Sequence, residues 1–350
     1  MINIPAYMKA AILVKQDSEL IIDQVELPKK IDLGQVLVKL NISGICGSQL
    51  GEIDGKKGND PYLPHLMGHE GCGKVVEIGP GVKTVSVGDK VVLHWRPGSG
   101  IQSDTPKYKW RGNKLNAGLV TTFNEYAVVS ENRCTSIPEE INDDDAALFG
   151  CAVTTGFGVV ENNAKLKFGE SVMIFGAGGI GLNIIQASKL ISAWPIIAVD
   201  IFDNRLELAK KFGATHVINS KIENVDLILN KIIGEKALDV FIDNTGIPKI
   251  IEKGYELTHS KGRVILVGVP PINSKIGIYS LPLHFGKIII GSHGGECKPE
   301  LDIPRYIKLL KNKKISFDDL VTCRYSLDNI NNAINAMRNG SSAGRILIDL

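Results

Sequence analysis

Ile174-Phe175-Gly176-Ala177-Gly178-Gly179-Ile180-Gly181-Leu182 is the stretch around which this 350-residue chain is organised. An apolar run from Ser171 to Phe175 leads into it and reads as a buried parallel strand. Ile180, Ile184, Ile185 and Leu190, which follow, share one face of a helix. Gly176, Gly178 and Gly181 stand at the spacing of a dinucleotide turn. The first permits the tight bend, the second lets backbone approach a pyrophosphate, and the third brings helix and strand close. Gly179 and Ile180 then supply the first amides of the helix, which face the phosphates.

The next apolar run, Pro195 to Val199, ends at Asp200, about 20 residues beyond the turn, where such a fingerprint places an acid. A carboxylate there accepts hydrogen bonds from a ribose diol and repels a 2′-phosphate. Ile201, Phe202 and Asp203 follow, with no arginine directly after the acid, so the expected coenzyme is NAD rather than NADP. Beyond Asp200, helical and strand-like patterns alternate through Asn204–Phe212, Thr215–Ile218, Val225–Ile233, Ala237–Ile242, Pro248–Leu257 and Arg263–Val269. That alternation predicts an α/β unit with a doubly wound parallel sheet. Its ligand lies beyond the strand ends where Gly176, Asp200 and Asn244 fall.

Residues 8 to 94 read differently. Met8–Val14, Leu20–Leu27, Val36–Ile42, Gly73–Ile78 and Lys90–His94 are short β-like runs punctuated by glycine and proline, a mainly β unit distinct from the one after it. Basic and acidic residues nearly cancel, 40 against 38, which gives no basis for a nucleic-acid or membrane-surface partner. No apolar run is long enough to cross a bilayer. Met1 to Lys15 lacks the pattern of a secretion signal. The six cysteines are too scattered for a disulfide framework, so a reducing cytoplasm is expected. Three residues suit zinc: Cys46 in Gly-Ile-Cys-Gly-Ser, His69 in Gly-His-Glu-Gly, and Cys151 in Gly-Cys-Ala-Val-Thr-Thr-Gly. Two thiolates and an imidazole leave a fourth position for water or substrate. A buried cysteine taken alone is as well explained by packing.

Together these motifs, in this order and across nearly the whole chain, resemble the zinc-dependent alcohol dehydrogenases of the medium-chain dehydrogenase/reductase superfamily. The resemblance implies a GroES-like catalytic domain over 1–151 with a C-terminal return over 295–350, and a Rossmann NAD-binding domain over 152–294, with the active site between them. It implies that Cys46, His69 and Cys151 hold one catalytic zinc, that Glu70 lies behind the metal and can exchange onto it, and that Ser48 takes the alcohol proton. It matches Thr155 to a place near the nicotinamide, Arg205 to the adenosine ribose, Arg345 to the pyrophosphate, and Trp95 to the substrate cleft. His65 and His94 match no ligand position and are read as structural.

The sequence also departs from the family. Gln49 stands where many relatives have an aspartate that orients the zinc-binding histidine. Its carbonyl is expected to accept the imidazole proton, with zinc less tightly held. Gly47 and Gly51 replace a basic residue and a relay histidine. Trp95 to Thr121 contains no cysteine, so a structural zinc site of four cysteines is not expected. Arg96, Lys107, Lys109, Arg111 and Lys114 lie there instead, as a solvated loop or as a basic wall for an anionic substrate. The expected function is hydride transfer between a small-molecule alcohol or carbonyl and NAD(H). The alternatives are a polyol or sugar dehydrogenase of the same superfamily, with phosphorylated and nucleotide-linked sugars among its candidate substrates, and a non-catalytic NAD-binding relative. A homodimer or homotetramer paired through the strand Lys287–Gly291 is expected.

Overall fold

The computed structural model describes residues 4–350. They form two compact units. The first comprises the residues up to Cys151 with Lys298–Lys313 and Val321–Leu350, and the second comprises Ala152–Cys297 with Lys314–Leu320. The short segment 314–320 joins the second unit because the Gln186 amide exchanges two hydrogen bonds with the backbone of Ser316, at 3.1 and 2.9 Å.

The second unit is built on a six-stranded parallel sheet. In spatial order its strands are His216–Asn219, Ile196–Asp200, Val172–Phe175, Leu238–Asp243, Thr258–Leu266 and Ile288–Gly291. In chain order this is 3-2-1-4-5-6, the Rossmann arrangement. The first strand is apolar throughout because helices cover both faces of the sheet. Val172, Met173 and Ile174 have no exposure, and each such burial contributes roughly 1.5–3 kcal/mol. The order reverses between Val172–Phe175 and Leu238–Asp243, so a crevice opens at their carboxyl ends. Thr258–Leu266 begins five residues before the expected Arg263, with a register shift inside it, between its pairings to Leu238 and Val240.

The first unit holds a five-stranded and a seven-stranded sheet. The long strand Gln35–Ile45 is the axis of the larger sheet. It pairs antiparallel with Glu70–Ile78, with Tyr126–Ser130, and with Arg345–Asp349 from the end of the fold. Ser43 faces Gly71, and Ile346 faces Ile45. Counting along these registers brings Cys46, the segment just before Glu70, and Arg345 to one end of the sheet. Leu327, Ile330, Ala333 and Ile334 pack with Ile346 and Ile348 into the same core as Ala11, Leu13 and Phe123. The C-terminal return is thereby held by apolar burial as well as by strand pairing.

Candidate active site

Cys46 follows the long strand Gln35–Ile45 and is the N-cap residue of the short helix Gly47–Ile53. His69 immediately precedes the strand Glu70–Ile78. Cys151 follows the helix Asp143–Leu148, after Gly150, where a Cβ would lie 2.3 Å from the Leu93 carbonyl. Only a glycine lets the chain pass that close. One ligand atom from each of Cys46, His69 and Cys151 lies within 4.8 Å of the other two, and the two sulfurs are 4.0 Å apart. Tetrahedral zinc with Zn–S near 2.3 Å would set its sulfurs ~3.8 Å apart. The His69 Nε2 is buried and has no hydrogen-bond partner, while Nδ1 is 2.9 Å from the Gln49 side-chain nitrogen. A buried orphan nitrogen on a ring grouped with two sulfurs is the condition that a soft cation relieves.

The two thiols of the site are shifted in opposite directions. The Cys46 thiol is held well below its ordinary value by the hydrogen bond that Cys151 Sγ donates to it, against the cost of burial, with help from His69 and Arg345. Cys151 is pushed the other way by that same neighbour and by burial. Burial pulls the His69 imidazole down, but the Cys46 sulfur and the Glu70 carboxylate more than restore it.

Glu70 has no exposed surface, and its Oε1 accepts a hydrogen bond at 2.5 Å from Nη2 of Arg345, whose Nη1 donates to the Ile45 carbonyl at 3.0 Å. A Cβ on Gly44 would fall 2.6 Å from Glu70 Oε1, which explains the glycine at that strand position. The expected pyrophosphate contact of Arg345 is thus not what the structure displays. The guanidinium is 1% exposed and committed to Glu70, because its strand pairs beside Ile45. Burial lowers its pKa, but Glu70 reverses the effect and leaves it above the ordinary value. Glu70 is likewise absent from the converging ligand set. Ser48 Oγ is buried without a partner.

In the second unit the glycine turn divides its tasks. Gly176 has φ +96°, a conformation that side chains resist. A Cβ on Gly181 would lie 2.1 Å from the Gly176 carbonyl, whereas one on Gly178 would meet nothing within 4 Å. No protein contact therefore explains Gly178, and its bareness keeps open the space above the start of the helix Gly179–Leu190. Asp200 Oδ2 accepts from the Ala177 amide at 2.8 Å, and Oδ1 from the Ile201 and Phe202 amides at 2.8 and 3.1 Å. The acid thus fixes the turn as well as ending its strand. Arg205 lies with its guanidinium 4.8 Å from the Phe202 ring centroid and Nη1 3.8 Å from Asp200. The Asn244 amide donates to the Gly176 carbonyl at 3.3 Å, and its Oδ1 is a buried orphan, as is Thr155 Oγ1.

Residues 32–139 match the alcohol dehydrogenase GroES-like domain, and residues 179–312 the zinc-binding dehydrogenase domain. The chain is 30% identical to an S-(hydroxymethyl)glutathione dehydrogenase of Paracoccus denitrificans over 97% of its own length and 99% of the relative's. This chain belongs to the zinc-containing alcohol dehydrogenases. An alcohol dehydrogenase class-3 of Cereibacter sphaeroides is also 30% identical, over 97% and 99% of the two chains. The crystal structure of benzyl alcohol dehydrogenase from Acinetobacter calcoaceticus superposes with a TM-score of 0.88 at 29% identity, covering 98% and 99%. An alcohol dehydrogenase zinc-binding domain protein of Burkholderia ambifaria gives 0.89, also at 29% identity and with coverage of 98% and 99%. The protein is a zinc alcohol oxidoreductase of the medium-chain dehydrogenase/reductase superfamily.

Within this alcohol dehydrogenase the basic stretch 96–114 is not one wall. Arg111 pairs with Asp23 through Nε and Nη2 at 3.0 and 2.8 Å, and its guanidinium is 4.6 Å from the Trp110 ring centroid. Trp110 itself donates to Asp23 at 2.9 Å. These residues belong to a hairpin, Tyr108–Trp110 with Asn113–Leu115, that extends the five-stranded sheet. Arg96 lies 5.9 Å from the centroid of Trp95. Trp95 directly follows His94, which pairs with Glu70 at the end of the ladder. Gln49 differs from expectation. Its oxygen takes the Cys46 N–H at 2.7 Å, and its nitrogen faces His69. A second group that sequence spacing did not reveal joins Glu52, Asp60 and His65. His65 Nε2 is 2.9 Å from Asp60 Oδ2 and 3.9 Å from Glu52 Oε1. These three residues border a cavity of about 500 Å³ in the first unit that His69 also lines.

Proposed function

We propose that this alcohol dehydrogenase uses NAD and one zinc per chain, held by Cys46, His69 and Cys151, to oxidise a small alcohol or reduce the matching carbonyl. The convergence of the three ligand atoms, with His69 Nε2 left unpartnered, carries the reading. Zinc bound there supplies a Lewis acid that polarises a substrate oxygen. NAD supplies the hydride acceptor. The protein groups supply the rest. The Ser48 hydroxyl, free of protein partners, can accept the alcohol proton and pass on its own. Glu70, anchored by Arg345, keeps a negative charge behind the sulfurs. The amides opening the helix Gly179–Leu190 favour the pyrophosphate, with Gly178 leaving room for it. Asp200 selects against a 2′-phosphate.

The lack of cysteine between Trp95 and Thr121 supports a single metal site per chain with no structural counterpart. Arg111, spent on Asp23, weakens the sugar-phosphate alternative. The expected assembly is a homodimer or a tetramer of dimers. No helix among the described residues is long and apolar enough to cross a membrane, and the proposed place of action is the cytoplasm.

Elemental analysis tests the reading directly. About one zinc per chain is expected, together with faster turnover of an alcohol panel with NAD than with NADP. Ser48→Ala should lower kcat by roughly 10²–10⁴-fold with zinc content unchanged. A zinc-free, inactive chain that still binds NAD would replace the proposal with the non-catalytic alternative.

A further inference from the structure

Gln49 lies between two groups that compete for one oxygen. Its Oε1 accepts the buried Cys46 N–H at 2.7 Å, and its Nε2 lies 2.9 Å from His69 Nδ1. Gln49 is 1% exposed, so neither bond can be exchanged for water. In this arrangement the amide donates to Nδ1, and the single proton of a neutral imidazole is on Nε2. That is the nitrogen left without a hydrogen-bond partner, on a ring grouped with the two sulfurs. To ligate a metal, Nε2 must offer its lone pair, which puts the ring proton on Nδ1. The Nδ1–H then meets an NH2 group. Turning the amide by half a rotation gives Nδ1–H an acceptor but aims the NH2 at the Cys46 N–H. With His69 as a ligand, either orientation leaves one pair of donors facing each other.

We infer that Gln49 is a positioning residue that stabilises the metal-free site and thereby loosens zinc. The inference rests on zinc binding by Cys46, His69 and Cys151. A side chain with two acceptor oxygens would satisfy the Cys46 N–H and the Nδ1–H together. An amide satisfies both neighbours only while His69 Nε2 carries the proton. Zinc uptake is therefore coupled to loss of one buried hydrogen bond, either at the start of the helix Gly47–Ile53 or at the histidine. A buried bond left unmade is worth roughly ten- to a hundredfold in metal affinity. The cost falls on the metal-bound form alone, so the signature is a difference between loaded and stripped protein.

The experiment compares the zinc-loaded wild-type enzyme with Gln49→Glu and Gln49→Met, timing zinc transfer to a chromogenic chelator and recording the melting temperature of each form with and without zinc. Gln49→Glu keeps the shape and supplies two acceptors. It should slow zinc release by about tenfold or more and widen the gap in melting temperature between loaded and stripped protein. Gln49→Met removes both bonds without adding charge, and should release zinc no faster than wild type. Wild-type release from the Glu variant, or release about tenfold faster from the Met variant, overturns the inference, because the amide would then be a simple support for the histidine. Equal shifts in both forms would make Gln49 a helix cap only, with the same consequence. A wild-type protein that takes up no zinc overturns the proposed function first, and is recognised by its metal content alone.

Discussion

His94 illustrates how one buried ring carries a pH dependence. It is 1% exposed, its Nδ1 donates to the Arg96 carbonyl at 2.7 Å, and the Thr135 hydroxyl donates to Nε2 at 2.9 Å. Both nitrogens are satisfied in the neutral ring. Burial pushes the imidazole down to about 4. Because this lies below the unfolded value of about 6.5, the unfolded chain binds the proton more readily. The contribution is complete above about pH 6.5 and is lost as pH falls through about 4, amounting to about 3 kcal/mol. Urea midpoints should be level at neutral pH and decline across that window. His94→Gln should start less stable and show a shallower decline. An identical decline in the variant would place the sensitivity elsewhere.

At the level of elements, the glycine turn separates folding from ligand binding. Gly181→Ala places a methyl 2.1 Å from the Gly176 carbonyl and should cost about 1–3 kcal/mol of stability. Gly178→Ala meets no protein atom within 4 Å and should melt as wild type, yet bind NAD at least tenfold more weakly by calorimetry. Equal melting losses in both variants would mean that Gly178 serves packing. This turn was legible in the sequence because its information is local: three glycines, a strand before, a helix after, and an acid at the next strand end. The helices Val225–Ile233 and Pro248–Leu257 were legible for the same reason, with Gly234 and Pro248 marking a stop and a start. The helices Gly47–Ile53 and Asp143–Leu148 were not, being two turns or fewer, too short for apolar periodicity to register. Cys46, His69 and Cys151 stood out singly by residue type, but only the family pattern joined them into one site, since no local spacing connects them. The Glu70–Arg345 pair depends on strand register across 275 positions, so the sequence could offer Arg345 only its family role.

At the scale of the whole molecule, the last strand of the parallel sheet has no neighbour on its outer side among the described residues. Ile288 and Ile290 are 41% and 37% exposed, and Leu283 and Phe285 beside them are also exposed. Unpaired backbone and apolar side chains on one edge invite a second copy, in keeping with the proposed dimer. Ile288→Lys with Ile290→Lys should convert the assembly to monomers in light scattering while the melting of the isolated chain changes little. A species of unchanged mass would remove this edge from the interface. The other sheet system has a consequence in time. The strand carrying Arg345 pairs beside Ile45, across a separation of 300 positions. During synthesis the ribosome delivers Cys46 long before its neighbouring guanidinium, and the whole nucleotide-binding unit emerges in between. The proposed zinc ligands Cys46, His69 and Cys151 are therefore all synthesised while Glu70 still lacks its counter-charge, which arrives with the closing strand.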